Sequence, residues 1–298
     1  MNIALTQLLL PVTFVVIYGS GFVGAKLGLP SAEPFTFLAL RFALAAGILA
    51  LIALWLRSRW PKNILWVITS GLLLQGGFSV GVFYALHLGM KPAVSALIIA
   101  LQPLCVAVLA APVLSEQVTG RRWLGLLIGF LGVAIVVADG LVSQGVSAVS
   151  LTWAIIGLLA LSSGQLLQKR YCADMDLVSG GLLQTLSSAV AMFFLAGWFD
   201  SRAVQWNGDF IIALIWMGVG VSIGALSLLY LMLRYQSANQ VASIFYGVPV
   251  AAALIAWPLF DQTPTLLDWS GSIVVAIGVS LAFGHGGSAG SRLKIAKE

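Results

Sequence analysis

"ALIIALQPLCVAVLAAPVLSEQVTGRRWLG" (residues 96–125) and "ASIFYGVPVAAALIAWPLFDQTPTLLDWSG" (residues 242–271) align without a gap. Pro103 falls on Pro249, Pro112 on Pro258, Trp123 on Trp269 and Gly125 on Gly271, each pair 146 residues apart (249 − 103). The register extends to Tyr84 with Tyr230 and to Gly132 with Gly278. Chance similarity between apolar helices explains shared Leu and Ala, but not paired Pro, Trp and Tyr. A second register, offset by 143, lays "SGFVGAK" (residues 20–26) over "SGQLLQK" (residues 163–169) and Glu33 over Asp176. The three-residue difference falls where a loop absorbs it. The chain is therefore an internal duplication.

Of 298 residues, 60% are hydrophobic and 8% are charged, against about 25% charged in a soluble protein. So few charges cannot cover a water-exposed surface, and the bilayer is the expected solvent. Ten runs approach the roughly 20 apolar residues that cross a bilayer: 7–27, 34–56, 64–86, 92–112, 121–138, 151–169, 177–198, 209–232, 238–260 and 268–284. Unbroken apolar runs such as Ile48 to Leu56 suit helices, not the short alternating segments of a barrel. The expected fold is all-α and integral to the membrane. It divides into a first five-helix repeat (1–139), a link (140–150), a second repeat (151–286) and a tail (287–298). The first run lacks a cationic leader and reads as an uncleaved span.

Loop cations set the orientation. Arg57, Arg59, Lys62, Arg121, Arg122, Lys169, Arg170, Arg234, Arg292, Lys294 and Lys297 fall on the side of the N-terminus, and only Lys26, Lys91 and Arg202 fall opposite. Eleven against three places both termini in the cytoplasm. Five spans is an odd number, so the second repeat enters the membrane from the other face. Inverted repeats around a midplane site are the architecture of alternating access.

At "YGSGFVGAK", "EPFTFLALRF", "LQPLCVAVLAAPVLSEQVTG" and "GLLIGFLGVAIV" the chain resembles the drug/metabolite transporter superfamily, as two EamA-type five-helix repeats. The second copy departs with "FDQTP", where the family keeps a Glu. The resemblance implies a multi-pass inner-membrane protein that moves small metabolites, more often outward than inward.

Intramembrane polar residues are costly unless they face a cavity or a partner. Arg41, inside the second run, either reads a carboxylate or phosphate with its planar fork, snorkels to the interface, or pairs with Glu33. Its repeat counterpart is Gln184. Asn239, Ser243 and Tyr246 share one face of the ninth run. Ser95 and Gln102 lie on the fourth, Gln75 and Ser79 on the third, Tyr18 on the first and Gln165 on the sixth. Together they read as a cavity lining, and singly as interhelical hydrogen bonds. Pro103 and Pro249 remove a backbone donor mid-span and are the expected hinges. The glycines of the fifth and tenth runs read as close packing at the periphery, and that periphery is the expected surface if the chain forms a homodimer.

His87 and His285 lie near span ends, and no Asp or Glu lies deep in a span, so no carboxylate proton relay is expected. The Ser163-Gly164 and Gly19-Ser20-Gly21 fragments have no deep His or Asp to activate them, so no enzyme is expected. Neither a metal site nor an ATP-cradling loop is spelled, and the scattered cations form no nucleic-acid surface. The partners expected are a small-molecule substrate and lipid, with no cofactor. A lining of amides, hydroxyls and rings with one cation suits a neutral or zwitterionic metabolite, amino acids and their derivatives first; the alternatives are an integral-membrane enzyme and a multidrug or organic-anion permease using Arg41. Topology is directly checkable: reporters fused after Asp139 and at the C-terminus should report opposite faces, the C-terminus cytoplasmic. A periplasmic C-terminus contradicts both the orientation and the inversion.

Overall fold

The computed structural model describes residues 3–114, 119–143, 147–260 and 265–283. Described residues are helical apart from short connections and one isolated bridge between Ala32 and Val204. In a medium without water, helices satisfy their backbone internally, and the apolar runs need only point outward. The first half comprises α1 (Ile3–Gly28), α2 (Pro34–Leu56), α3 (Ile64–Gly71), α4 (Phe78–His87), α5 (Pro92–Ile99), α6 (Gln102–Leu114) and α7 (Gly120–Ser143). The second comprises α8 (Ala148–Tyr171), α9 (Leu177–Phe199), α10 (Gly208–Ile215), α11 (Leu226–Tyr235), α12 (Ala238–Ile244), α13 (Val248–Phe260) and α14 (Leu266–Phe283). Among the described residues, eight segments are long and apolar enough to cross a membrane, and α7 carries a shorter apolar stretch, Trp123–Gly132. Leu54, Trp55, Phe193, Phe194 and Trp198 are exposed on this surface, as a lipid-facing wall requires.

The duplication reappears in the local irregularities. A π-helical segment, Leu72–Gly77, joins α3 to α4, and another, Trp216–Ala225, joins α10 to α11. Shifted by 146, the second spans positions 70 to 79 and covers the first (216 − 146 and 225 − 146). Both are glycine-rich, and π-bulges recur at functional sites. Likewise, α5 stops at Ala100–Leu101, just before Pro103, while a 3-10 turn, Phe245–Gly247, precedes Pro249. Neither proline has an N–H to give the carbonyl four residues back, so the ladder shortens locally: Leu101 N–H bonds Ile98 at 3.1 Å and Leu104 N–H bonds Leu101 at 3.0 Å.

The halves interdigitate. Helix α2 packs on α9 and α7 on α14, each against its own repeat counterpart. The α1–α13 contact corresponds to α8–α6, and α2 on the second π segment corresponds to α9 on the first. The connections carry a further relation. Between α1 and α2, Glu33 accepts from the Ser201 N–H and hydroxyl, while Asp200 accepts from Thr36 N–H at 2.6 Å and its hydroxyl at 2.9 Å, capping α2. These two Ser201 bonds hold the Glu33 carboxyl below the usual carboxylate range. At the other end of α2, Asn63 donates to the Tyr171 carbonyl (3.4 Å) and Ser179 to that of Arg59 (2.5 Å). The α1–α2 and α8–α9 connections are repeat counterparts, yet they sit at opposite ends of the same helix.

Close seams explain the glycines. A Cβ on Gly132 would lie 2.8 Å from the Gly271 carbonyl oxygen, and one on Gly278 would lie 2.6 Å from that of Gly125, so α7 and α14 meet backbone to backbone. On α4, a Cβ at Gly81 would lie 2.5 Å from Gly157 Cα and 2.6 Å from the Trp153 oxygen, beside Tyr84 stacked on Trp153 (4.8 Å, 27°). Gly81→Leu should therefore lower the thermal unfolding midpoint of the purified protein, since overpacking costs about 1–3 kcal/mol. Gly47, with open space where its Cβ would go, serves as the control: Gly47→Ala should hold or raise the midpoint. Equal midpoints would contradict the tight α4–α8 seam.

Candidate functional site

The pseudo-equivalent π segments border one tight cavity, about 20 Å³ in volume, between α1, α2, α4 and the second π segment. Tyr18, Arg41, Gln75 and Ser79 supply its polar wall, and Phe22, Leu74, Phe78, Phe83, Met217 and Val221 much of its apolar one. Extra residues in a π turn change which side chains face inward, and that is how Gln75 on the first segment and Met217 and Val221 on the second come to line one space.

Arg41 is 4% exposed, so it does not snorkel. Nor does it meet Glu33, which is held by Ser201. Its Nε donates to Ser222 Oγ at 2.8 Å and its Nη1 to Ser79 Oγ at 3.5 Å. The guanidinium carbon lies 5.0 Å from the Phe42 ring centroid and 5.9 Å from that of Phe83. Among the described residues no carboxylate comes within ion-pair distance of it. A buried cation met only by neutral hydroxyls and ring faces is under-compensated. Beside it, the Tyr18 hydroxyl is buried without a hydrogen-bond partner, its ring stacked on Phe78 at 5.7 Å. Gln75 is anchored: its Nε2 donates to the Tyr230 hydroxyl (3.3 Å), and its Oε1 accepts from Thr185 (3.1 Å).

The other sequence-predicted residues lie elsewhere. Gln184 donates to Ser70 Oγ and Gln168 Oε1, both at 2.7 Å. The counterpart of Arg41 thus sits in a network tying α9 to α3 and α8. Gln102 donates to Gln165 Oε1, and Gln165 Nε2 donates to the Ala238 carbonyl at 2.9 Å, a second polar knot between α6, α8 and α12. The Ser95 hydroxyl is buried without a partner outside the cavity lining. Ser243 donates back to the Asn239 carbonyl at 2.8 Å, and Asn239 is buried at the start of α12. Tyr246, in the 3-10 turn that follows α12, reaches the Leu126 carbonyl of α7 (3.4 Å) across Gly129.

Ser222 and Thr185 are not among the residues the sequence points to, and Tyr230 enters there only as a marker of the repeat. The repeat counterpart of Ser222 is Gly76, adjacent to Gln75 (222 − 146), and that adjacency was the available signal. Cys105 and Cys172 are free thiols. Among the described residues no group of three His, Cys, Asp or Glu could hold a metal ion. The geometry can bind an anion beside apolar walls. No nucleophile and base are set together in it.

A family model, the EamA-like transporter family, matches residues 5–138 and 148–284. A Bacillus subtilis (strain 168) protein named uncharacterized transporter YvbV is 23% identical over 270 residues, covering 88% of this chain and 86% of its own. A probable amino-acid metabolite efflux pump of Escherichia coli (strain K12) is 24% identical over 274 residues, covering 89% and 90%. One protein of known crystal structure shares the fold at a TM-score of 0.73 and 17% identity, over 92% of this chain and 96% of its own. With both halves matched separately by one family model, and that model spanning nearly all of the sequence, the chain belongs to the EamA-like transporter family.

Proposed function

We propose that this chain is a secondary-active exporter of small metabolites that carry a carboxylate, amino acids and their derivatives foremost, and that Arg41 reads the carboxylate. The observation that carries the reading is a guanidinium buried in a cavity, held by two serines and two rings, with no acid to neutralise it. Tyr18 and Gln75 complete the contact set, and the remaining polar residues hold helices together. The relative named as an amino-acid metabolite efflux pump supports the substrate class and the outward direction.

The mechanism proposed is alternating access by ten spans in two inverted repeats, with both termini cytoplasmic in the inner membrane. Three features support it. Equivalent connections sit at opposite ends of α2, π segments recur at equivalent positions, and both Pro103 and Pro249 sit just after a break in their helices, where each can hinge. The lysines that end "SGFVGAK" and "SGQLLQK" suggest how the halves exchange. Lys169 Nζ donates to the carbonyls of Leu233 (2.7 Å) and Gln236 (2.8 Å), capping the end of α11, where a cation suits the helix dipole. Its counterpart Lys26 lies 5.1 Å from the Phe260 ring centroid, with no hydrogen bond among the described residues. In the opposite state Lys26 takes the carbonyls that end α4, and Lys169 is released.

The test is efflux from cells that express the chain and are loaded with labelled amino acids and derivatives. Losing one partner of a buried charge pair costs about 2–5 kcal/mol, so Arg41→Gln should cut efflux at least about tenfold. Arg41→Lys keeps the charge without the fork and should fall between. Tyr246→Phe, away from the cavity, should stay near wild type. Wild-type efflux by both Arg41 variants at normal expression would overturn the assignment.

A further inference from the structure

The cavity's charge and donor pattern narrows the substrate further, on the reading that it is the transport site. A zwitterion brings one negative and one positive group. The negative group has clear partners: the N–H groups of Arg41 not engaged by Ser79 and Ser222, and the unpartnered Tyr18 hydroxyl, which donates. The positive group does not. An ammonium has three N–H donors and no acceptor, and three of the neighbouring side-chain oxygens already accept one bond each, leaving a single lone pair apiece. Ser79 and Ser222 already accept from Arg41, and Gln75 Oε1 accepts from Thr185. Among the described residues no carboxylate lines the space, and the ring faces of Phe42 and Phe83 already receive the guanidinium. A free ammonium would also sit near Arg41, like charge against like in a medium of low dielectric. Much of the rest of the wall is Phe22, Leu74, Phe78, Val82, Met217 and Val221, which suits an apolar body.

We infer that, among the carboxylates proposed above, derivatives without a free amine rank ahead of the amino acids themselves, the preferred substrate being a singly charged organic carboxylate with an apolar body, such as an N-acyl amino acid or a 2-oxo acid. One carboxylate then neutralises the one buried cation, and no second charge enters. A dicarboxylate or a phosphate ester would bring more negative charge than one guanidinium balances.

The experiment uses the purified full-length chain in liposomes, with counterflow of labelled N-acetyl-L-phenylalanine compared with labelled L-phenylalanine at neutral pH. The two share a carboxylate and a ring and differ in the free amine. The N-acetyl compound should exchange at least about tenfold faster, a difference worth about 1.4 kcal/mol. It alone should raise the thermal unfolding midpoint of the wild-type protein, since a ligand that binds only the folded state stabilises it. Tyr18→Phe should weaken both responses, and Arg41→Gln should abolish them. The wild-type comparison stands even if a variant fails to fold. Faster exchange of L-phenylalanine would overturn this inference and leave the proposed exporter in place. Exchange of neither compound by intact, monodisperse protein would overturn both.

Discussion

A guanidinium inside a membrane bundle needs an opposite charge or a strong reason to lack one. Taking an ion out of water costs several kcal/mol, and two serine hydroxyls and two ring faces offset only part of that. Arg41 sits at the meeting of α1, α2, α4 and the second π segment with this deficit left standing. Ser79 and Ser222 fix the fork, Gln75 is pinned from outside by Tyr230 and Thr185, and the lining residue Tyr18 keeps a buried, unbonded hydroxyl.

The duplication explains why the deficit sits in one half only. At the position equivalent to Arg41 the second repeat has Gln184, whose amide is held by Ser70 and Gln168. On the proposed reading, one repeat keeps the binding cation, and its counterpart serves as scaffold. Backbone irregularities are shared more faithfully than side chains: both halves carry a glycine-rich π segment and a break beside proline. In the proposed exporter, shared irregularity supplies two interchangeable conformations, and the unshared arginine supplies the single site.

Much of the fold was legible because bilayer physics is simple. Runs of about 20 apolar residues became helices, and the limits of α2 coincide with the run at 34–56. Pro103 and Pro249 marked their breaks, since a missing N–H is visible in the sequence. The glycines of α7 and α14 were legible as close packing for the same kind of reason. The site was less legible. The face shared by Asn239, Ser243 and Tyr246 follows from helical period, but period cannot say that a 3-10 turn over Phe245–Gly247 ends α12 and takes Tyr246 to α7. Ser222 was invisible because a π turn breaks the 3.6-residue period, and nothing in "WMGVGVSIGA" announces one. For Arg41 the sequence left three fates open. Burial and the separate engagement of Glu33 by Ser201 removed two, and neither depends on any motif.

The most direct measurement is the thermal unfolding of Arg41→Met beside wild type, with and without a carboxylate ligand such as N-acetyl-L-phenylalanine. If Arg41 is kept for binding against the interest of stability, an apolar side chain of similar reach removes an uncompensated charge, and the midpoint rises, by analogy with buried ion groups whose apolar replacement stabilises by about 1–4 kcal/mol. The ligand's stabilising effect should vanish in the same variant. A lower midpoint, with the ligand effect intact, would make Arg41 a structural residue and contradict the account.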